Sequence, residues 1–297
     1  MQRLAPLALC LLIAGPAARG QEPGQVRITV AYLRSLQTDS GGFTNRAATA
    51  VGEKPNPPSL RATTGALRAL EYFGGEAKDP EAAKRFVARC FDKPSGGFAD
   101  TPGDKPDVTS TAVGLMALVE LKVPLDDYRD AAVKYLGEHA KGFEDIRIAA
   151  AGLEAAGKRP PQAKEWLKQI AAMRNDDGLF GKDNGVARET GGAVVGLLRL
   201  GGDVDDRAVV LRALKAGQRA DAGYGKPGAL DSDLETTYRV MRAFAMLKGQ
   251  PNDVKGLRAF IAQCRNADGG YGIVPSQPST AGSTYYAAII LYWLREK

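Results

Sequence analysis

The sequence contains few of the residues that build covalent or metal-held frameworks. It has three cysteines and one histidine in 297 residues. Cys10 lies in the apolar N-terminal stretch, which leaves Cys90 and Cys264, and the sequence has no Cys-x-x-Cys motif or Cys/His cluster. A disulfide framework and a cysteine–histidine metal site are therefore excluded. We expect Cys90 and Cys264 to be small, buried side chains.

Strand patterns and basic runs are also missing. No run of alternating β-branched residues is bounded by hairpin turns, so the sequence predicts no sheet. The 40 basic and 34 acidic residues give a formal net charge of +6, but both signs are scattered along the chain. Because no basic run is interleaved with aromatic residues, we do not expect a nucleic-acid partner.

The N-terminus has the pattern of a secretory leader. Arg3 precedes the apolar stretch Leu4–Gly15, and the small residues around Ala18 and Gly20 resemble a cleavage site. This stretch is too short to span a bilayer as a stable helix, so no membrane span is expected. The sequence therefore predicts a signal peptide over 1–20, one mature domain over 21–297, and export to the periplasm or the medium.

A turn made of glycine followed by an aromatic residue recurs six times. The glycines permit the positive φ that ends a helix, and the aromatic ring packs the turn onto the core. The spacing between turns ranges from 37 to 55 residues and averages about 46, the length of two helices and two turns. The aromatic residues are Phe43, Phe98, Phe143, Phe180, Tyr224 and Tyr271.

The second helix of each repeat begins with small residues, which let neighbouring helices approach closely. Six hairpins give twelve helices, so the sequence predicts an all-α fold, a single closed α/α toroid. An open helical solenoid is the alternative, but it would need polar capping repeats, whereas Tyr292 and Trp293 lie near the C-terminus. The corresponding positions at the starts of the inner helices are Thr63, Thr111, Ile146, Thr190, Thr237 and Thr284.

This repeat, a Gly-Gly-aromatic turn followed by a helix that opens with a small residue, resembles the prenyltransferase and squalene-cyclase repeat. The closest resemblance is to the β subunits of protein prenyltransferases, and it extends from about Val30 to Lys297. It implies a central cavity that takes an isoprenoid diphosphate, a zinc ion at the rim, and an α-subunit partner. Whether an α-subunit-like partner exists here stays open.

The positions that the resemblance assigns to zinc are substituted in this sequence. The expected Asp-x-Cys pair and His fall on Glu235, Thr237 and Gly282. Because zinc chemistry needs three protein ligands, we predict no metal and no cofactor. The tyrosine after the cysteine is kept as Tyr238, and the Gly-Arg-Pro of the preceding turn is replaced by Gly-Lys-Pro, which contains Lys226.

The candidate site residues follow from this alignment of the repeats. We predict catalytic roles for Glu235 and Tyr238. We predict substrate contacts from Lys226, Tyr238, Arg61, Arg188 and Tyr285. The starts of the inner helices should meet at one rim, where Arg61 and Arg188 occupy the position equivalent to Glu235. Together with Glu144 they would form a mouth of mixed charge above an apolar cavity, which suits an amphiphile with a charged head.

The segment 231–235, Asp-Ser-Asp-Leu-Glu, has two further interpretations. It is similar to the Asp-x-Asp-Asp motif with which squalene-type cyclases protonate an alkene, although Leu234 replaces the last carboxylate. Alternatively, Ser232 and Glu235 form a capping box at a helix start.

Three classes of function therefore remain. The first is a prenyltransferase-like toroid that handles an isoprenoid or a similar amphiphile, with catalysis uncertain. The second is an exported, non-catalytic toroid that binds a lipid, peptide or glycan. The third is a toroidal carbohydrate-active enzyme, which would need a pair of carboxylates at catalytic separation.

Overall fold

A computed structural model describes residues 22–47 and 56–295. The predicted leader, 1–20, lies outside the described residues. Within them there is no helix long and apolar enough to cross a membrane. The described part contains twelve α-helices: α1 Pro23–Ser35, α2 Leu60–Tyr72, α3 Pro80–Arg89, α4 Val108–Glu120, α5 Arg129–His139, α6 Phe143–Ala156, α7 Ala163–Ala172, α8 Val186–Leu200, α9 Arg207–Ala216, α10 Leu234–Leu247, α11 Val254–Gln263 and α12 Ala281–Trp293.

The even-numbered helices form a closed inner ring. Each contacts the next, from α2 through α4, α6, α8 and α10 to α12, and α12 packs back against α2. The odd-numbered helices lie outside, and α1, α3, α5, α7 and α9 pack against inner neighbours. The predicted all-α toroid of six helical hairpins is confirmed, and the contact between α12 and α2 excludes the open solenoid.

Short polar residues set where the helices begin. In α4 and α10 the N-cap residues are Asp107 and Asp233, whose carboxylates accept the backbone N–H of Ser110 and Thr236. A side-chain acceptor at this position satisfies an amide that has no partner within the helix. Because the inner helices all start from the glycine-aromatic side, their N-termini lie at one rim of the ring.

One hydrogen bond, present in five of the six repeats, joins each glycine-aromatic turn to the inner helix that follows. The threonine at the start of the inner helix accepts the backbone N–H of the aromatic residue through Oγ1, at 2.9 to 3.1 Å. Both partners are buried. The pairs are Phe43 with Thr63, Phe98 with Thr111, Phe180 with Thr190, Tyr224 with Thr237, and Tyr271 with Thr284.

The third repeat departs from this pattern, and the predicted turn at Phe143 is wrong. Phe143 is the first residue of α6 and is only half-buried. Only Ala140 to Gly142 connect α5 to α6, which is too short to fold an aromatic residue back under the helix start. Ile146 at the threonine position also has no hydroxyl to accept the amide.

Small residues allow the inner helices to approach closely, as the sequence predicts. A Cβ built at Gly152 on α6 would lie 2.6 Å from Ala112 Cα on α4. A Cβ at Gly114 would lie 2.6 Å from the ring of Phe98. Cys90 and Cys264 are free and buried, and burial raises the pKa of each thiol to about 12.

The sequence shows no strand pattern, and the structure has only a minor exception. The strands β1 (Phe91–Asp92) and β2 (Gly97–Phe98) are two residues each and pair antiparallel within the second turn. They extend the turn and form no layer of the fold.

The threonine–aromatic hydrogen bond can be tested in the second repeat. Replacing Thr111 with valine keeps the side-chain volume but leaves the buried Phe98 amide without an acceptor, so we expect a loss of about 1–3 kcal/mol in the free energy of unfolding. Chemical denaturation measures this value. The control is Thr109→Val in the same helical turn, whose hydroxyl makes no hydrogen bond within the described residues. Equal stability of the two variants would contradict the assigned role.

Candidate functional site

The inner ring encloses a cavity of about 530 Å³. All six inner helices contribute to its wall. This volume lies in the range of small-molecule sites, which run from about 300 to 1,000 Å³. The lining includes Arg61, Gly65, Arg68, Val113, Met116, Glu144, Arg147, Ile148, Arg199, Glu235, Tyr238, Arg239, Gly282, Tyr285 and Tyr286.

Helical spacing brings the polar residues of each inner helix onto the cavity face. On α10, Glu235 is followed after three, four and seven residues by Tyr238, Arg239 and Arg242, which places all four on one stripe. On α2, Arg68 lies two turns beyond Arg61, about 10 Å deeper along the helix axis. Each stripe therefore runs from the rim toward the inside of the ring.

An ion-pair network surrounds the mouth of the cavity. Glu144 contacts Arg147 at 2.9 Å and accepts two hydrogen bonds from Arg239, at 2.9 and 3.1 Å. Arg239 also donates to Glu235 at 2.9 Å. Lys226 Nζ lies 3.5 Å from Glu235 Oε2.

These contacts keep both rim carboxylates ionised. Burial raises the pKa of Glu144, but hydrogen bonds and charge from Arg239 and Arg147 outweigh it and hold that pKa at about 2. Burial likewise opposes ionisation of Glu235, yet Arg239 and Lys226 lower its pKa. An ionised Glu235 does not suit the role of a proton donor to an alkene.

The inside of the cavity is cationic and aromatic. We call three arginines the basic floor: Arg68 and Arg199, which line the cavity, and Arg242, which contacts Tyr238 and Tyr285 beside it. Arg242 Nη2 donates to the hydroxyls of Tyr238 and Tyr285, at 3.0 and 3.3 Å. The guanidinium carbon of Arg68 lies 4.8 Å from the centroid of the Tyr285 ring, a cation–π distance.

Carboxylates neutralise the basic floor only in part. Glu154 accepts a hydrogen bond from Arg199 at 2.9 Å. Glu120 lies 3.9 Å from Arg68. Arg242 has no carboxylate within 4.0 Å among the described residues, and its Nε is buried without a hydrogen-bond partner.

The basic floor lowers the pKa of Tyr238, which lies between its arginines. Burial raises the pKa of Tyr238, but the guanidinium groups of Arg242, Arg199 and Arg68 outweigh it and lower that pKa below the usual value. Burial raises the pKa of the neighbouring Tyr285, so that hydroxyl stays protonated. Tyr238 is therefore the hydroxyl of this pair that loses its proton first.

The structure brings most of the sequence-predicted residues together at this cavity. Glu235, Tyr238, Tyr285 and Arg61 line it, and Arg61 pairs with Asp100 at 3.1 Å. Their roles stay predictions.

The other two predicted residues lie beside the cavity. Arg188 does not line it: its guanidinium binds Glu189 at 2.6 Å and lies 3.9 Å from Glu235. Lys226 is half-exposed on the rim loop and reaches the cavity only through Glu235.

The predicted capping box at α10 is wrong. Asp233, not Ser232, is the N-cap, because its carboxylate accepts both the amide and the hydroxyl of Thr236 at 2.8 Å. Ser232 instead donates to Asp221 at 2.7 Å. Glu235 is free of a capping role, and its side chain joins the ion pairs at the rim.

The predicted apolar interior holds only in part: Val113, Met116 and Ile148 line it, but so do arginines that lie deeper than the helix starts. The missed residues are Arg68, Arg147, Arg199, Arg239 and Arg242. Helical spacing could have found four of them: Arg68 follows Arg61 by seven residues, as Arg242 follows Glu235, while Arg239 follows Glu235 by four and Arg147 follows Glu144 by three.

Residues 63–140 and 146–297 match the prenyltransferase alpha-alpha toroid domain. The match leaves out the short third turn around Phe143, where the repeat is irregular. The chain belongs to the prenyltransferase alpha-alpha toroid family. No curated protein matches the sequence.

Several solved structures share the toroid. Protein geranylgeranyltransferase-I of Candida albicans, complexed with GGPP, superposes with a TM-score of 0.65 at 15% identity, over 79% of this chain and 83% of that one. A protein from Actinoplanes superposes with a TM-score of 0.60 at 14% identity, over 92% of this chain and 98% of that one. A third match is a variant of the type II terpene cyclase MstE from Scytonema, in complex with geranylgeranyl dihydroxybenzoate. It superposes with a TM-score of 0.57 at 10% identity, over 91% of this chain and 95% of that one. At these identities the likeness establishes the fold alone.

The residues at the family's zinc positions do not fit a zinc ion in this toroid. Thr237 is fully buried, and its hydroxyl is engaged with both the amide and the carbonyl of Tyr224. Gly282 offers no side chain, which leaves Glu235 alone. Within the described residues no group of three or more His, Cys, Asp or Glu side chains could hold a metal ion.

The lowered pKa of Tyr238 can be tested by titrating this toroid. We expect one of its ten tyrosines to ionise below pH 10, seen as phenolate absorbance in the near ultraviolet. Tyr238→Phe should abolish that step, and Tyr286→Phe, on the same cavity, should retain it. A step that survives in Tyr238→Phe would contradict the assignment.

The same shift has a consequence for stability. Because the pKa of Tyr238 is lower in the folded state, ionisation of its hydroxyl stabilises the fold. This stabilisation is complete above the unfolded-state pKa of tyrosine, 10.0, and is lost as the pH falls through the lowered value. The free energy of unfolding, relative to that of Tyr238→Phe, should therefore rise with pH across this window.

Proposed function

We propose that this toroid binds an anionic amphiphile of isoprenoid type in its central cavity, with the charged head on the basic floor. The observation that carries the proposal is the burial of two guanidinium groups in the cavity wall, those of Arg68 and Arg199, with the guanidinium group of Arg242 beside them. A buried charge without a partner is unfavourable, and an anionic head would supply one. Arginine also presents several donors in a planar fork, which suits carboxylate and phosphate oxygens.

The rest of the cavity suits an apolar chain. Val113, Met116 and Ile148 line one side of it. Aromatic rings line another side: the Tyr238 and Tyr286 rings stack with centroids 4.9 Å apart. Burial of such a chain is favourable at roughly 25 cal/mol per Å² of apolar surface.

Two of the solved toroids contain ligands of this kind. The Candida enzyme is complexed with GGPP, and MstE with geranylgeranyl dihydroxybenzoate. Both ligands combine an isoprenoid chain with a polar head. The likeness in fold supports the ligand class, whereas the placement of the head on the basic floor rests on this chain's own arginines.

Binding rather than a named reaction is the function that the geometry supports best. Four carboxylates line the cavity: Glu144, Glu235, Asp100 and Asp145. Arginines keep Glu144 and Glu235 ionised. That pair offers no general acid, which disfavours the carbohydrate-active alternative. An exported binding protein is compatible with the predicted leader, and both the leader and export stay predictions.

Substitutions in the basic floor and at the rim should change the affinity for the ligand by different amounts. Arg68→Met should weaken the affinity for geranylgeranyl diphosphate on the order of tenfold, because it removes a buried charged hydrogen-bond donor. Lys226→Ala at the rim should have a smaller effect. Isothermal titration calorimetry measures both.

The control for these variants is Arg85→Met, on the exposed face of an outer helix, which should bind like the unmodified protein. If Lys226→Ala abolishes binding and Arg68→Met does not, the head lies at the rim instead. If the unmodified protein binds neither farnesyl nor geranylgeranyl diphosphate, nor geranylgeranyl dihydroxybenzoate, the proposal is wrong.

The proposal also holds that zinc is not needed, because Thr237 and Gly282 replace the expected ligands. Treatment with a chelator should leave the affinity and the melting temperature unchanged. Metal analysis of the untreated protein provides the second readout. Stoichiometric zinc that is lost in Glu235→Gln would contradict this part of the proposal.

A further inference from the structure

The charged groups of the central cavity fall into two sets, one at the rim and one at the floor. The rim set comprises the charged lining residues near the inner-helix starts and the residues that ion pairs join to them, directly or through one partner. Within the described residues it contains five cations and six carboxylates: Arg61, Arg147, Arg188, Lys226 and Arg239, and Asp100, Asp107, Glu144, Asp145, Glu189 and Glu235. The mouth therefore has no excess of positive charge.

The basic floor has the opposite balance. Its three guanidinium groups have two carboxylate partners: Glu120 lies 3.9 Å from Arg68, and Glu154 lies 2.9 Å from Arg199. Among the described residues Arg242 has tyrosine hydroxyls as partners and no carboxylate. Two more charged side chains act on Glu120, and their signs are opposite: Glu71 and Lys122. One positive charge is therefore left over at the floor.

The two floor carboxylates compensate their arginines as charged groups. Burial raises the pKa of Glu120, and the guanidinium group of Arg68 opposes this rise. Because arginine keeps its charge in proteins, a buried guanidinium group favours the ionised form of its partner. Glu154 is 53% exposed, so water also solvates its charge.

The hydroxyl between the floor arginines responds to the same excess charge. Arg242 Nη2 donates to the oxygens of Tyr238 and Tyr285, which are neutral acceptors when both hydroxyls are protonated. The guanidinium groups lower the pKa of Tyr238, since its phenolate would supply the missing negative charge. A ligand with one negative charge would do the same and leave that hydroxyl protonated.

The floor arginines that line the cavity have donors suited to oxygen. Arg68 Nη1 lies 3.4 Å from the sulfur of Met116, which is a weak acceptor. Arg199 uses its Nε for Glu154. A carboxylate is planar and offers two oxygens to such guanidinium forks, and it would replace weak acceptors with charged ones.

We propose that the preferred head group is a single carboxylate, so that this toroid binds an isoprenoid carboxylate in preference to an isoprenoid diphosphate. The inference rests on the amphiphile site proposed above. A carboxylate brings the floor to neutrality. A diphosphate carries several negative charges, so it would leave uncompensated negative charge in a buried space and would meet no net attraction at the mouth.

Calorimetry with ligands that share the geranylgeranyl chain and differ in the head tests this inference. The ligands are geranylgeranoic acid, geranylgeraniol and geranylgeranyl diphosphate, the last with and without Mg²⁺. We expect the acid to bind on the order of tenfold more tightly than the alcohol, because it adds charged hydrogen bonds. The acid should also bind more tightly than the diphosphate.

The outcomes separate this inference from the amphiphile site itself. A diphosphate that binds as tightly as the acid, with or without Mg²⁺, would overturn the carboxylate preference and leave the amphiphile site standing. An alcohol that binds as tightly as the acid would also overturn it. If none of the three ligands binds, the amphiphile site is wrong as well.

Changing the floor charge by one should change the head that is preferred. Glu154→Gln removes one negative charge and keeps an acceptor for Arg199. We expect the affinity for geranylgeranyl monophosphate to rise a few-fold relative to the acid, a modest change because Glu154 is half-exposed. The control is Glu138→Gln on α5, a side chain of similar exposure (51%) away from the cavity. An unchanged affinity ratio in Glu154→Gln would contradict the charge balance.

Removing the charge that is left over should abolish the preference for an acid. Arg242→Gln keeps a hydrogen-bond donor beside Tyr238 but has no charge. We expect the acid to bind about as weakly as the alcohol, while the affinity for the alcohol is unchanged. A damaged cavity would lose both ligands, so the alcohol reports on folding. If Arg242→Gln still binds the acid as tightly as the unmodified protein does, the proposal is overturned.

Discussion

The hydrogen bond between the inner-helix threonine and the amide of the turn aromatic is the contact on which the site depends. It fixes where each inner helix begins relative to the outer helix before it. Since five repeats share it, the inner helices start at a common level. Residues at equivalent distances from those starts therefore meet inside the ring, although they lie far apart in the sequence.

This geometry concentrates charge. The inner helices α2, α6, α8 and α10 each contribute only one or two basic residues to the inner face, which is unremarkable for a single helix. The ring brings the guanidinium groups of three helices, α2, α8 and α10, around two tyrosine hydroxyls. Burial then makes each cation dependent on its few partners, because screening by water is weak there. The lowered pKa values of Tyr238 and Arg199 are two results of the same crowding.

The family relationship and the chemistry of this chain diverge at the turn that opens α10. Thr237 lies where the resemblance expects a zinc-ligating cysteine, and its hydroxyl anchors the Tyr224 turn as threonines do in four other repeats. The fold is kept because the turn contact is kept. The polar groups that remain, Tyr238 and Arg242, lie deeper, where we propose that they take part in binding an anionic head.

The sequence alone determined the repeat, the closed toroid and the rim residues Arg61, Glu144 and Glu235, because glycine-aromatic turns and helix starts are local signals. The sequence misplaced Phe143, because the length of the connection between two helices decides whether an aromatic side chain can fold back under the helix start. It also assigned the N-cap of α10 to Ser232, because the adjacent polar residues Ser232 and Asp233 can both fill that position. It missed the basic floor. Which face of a helix points inward, and which arginines from different helices share a space, depend on how the ring closes; only the tertiary structure decided that.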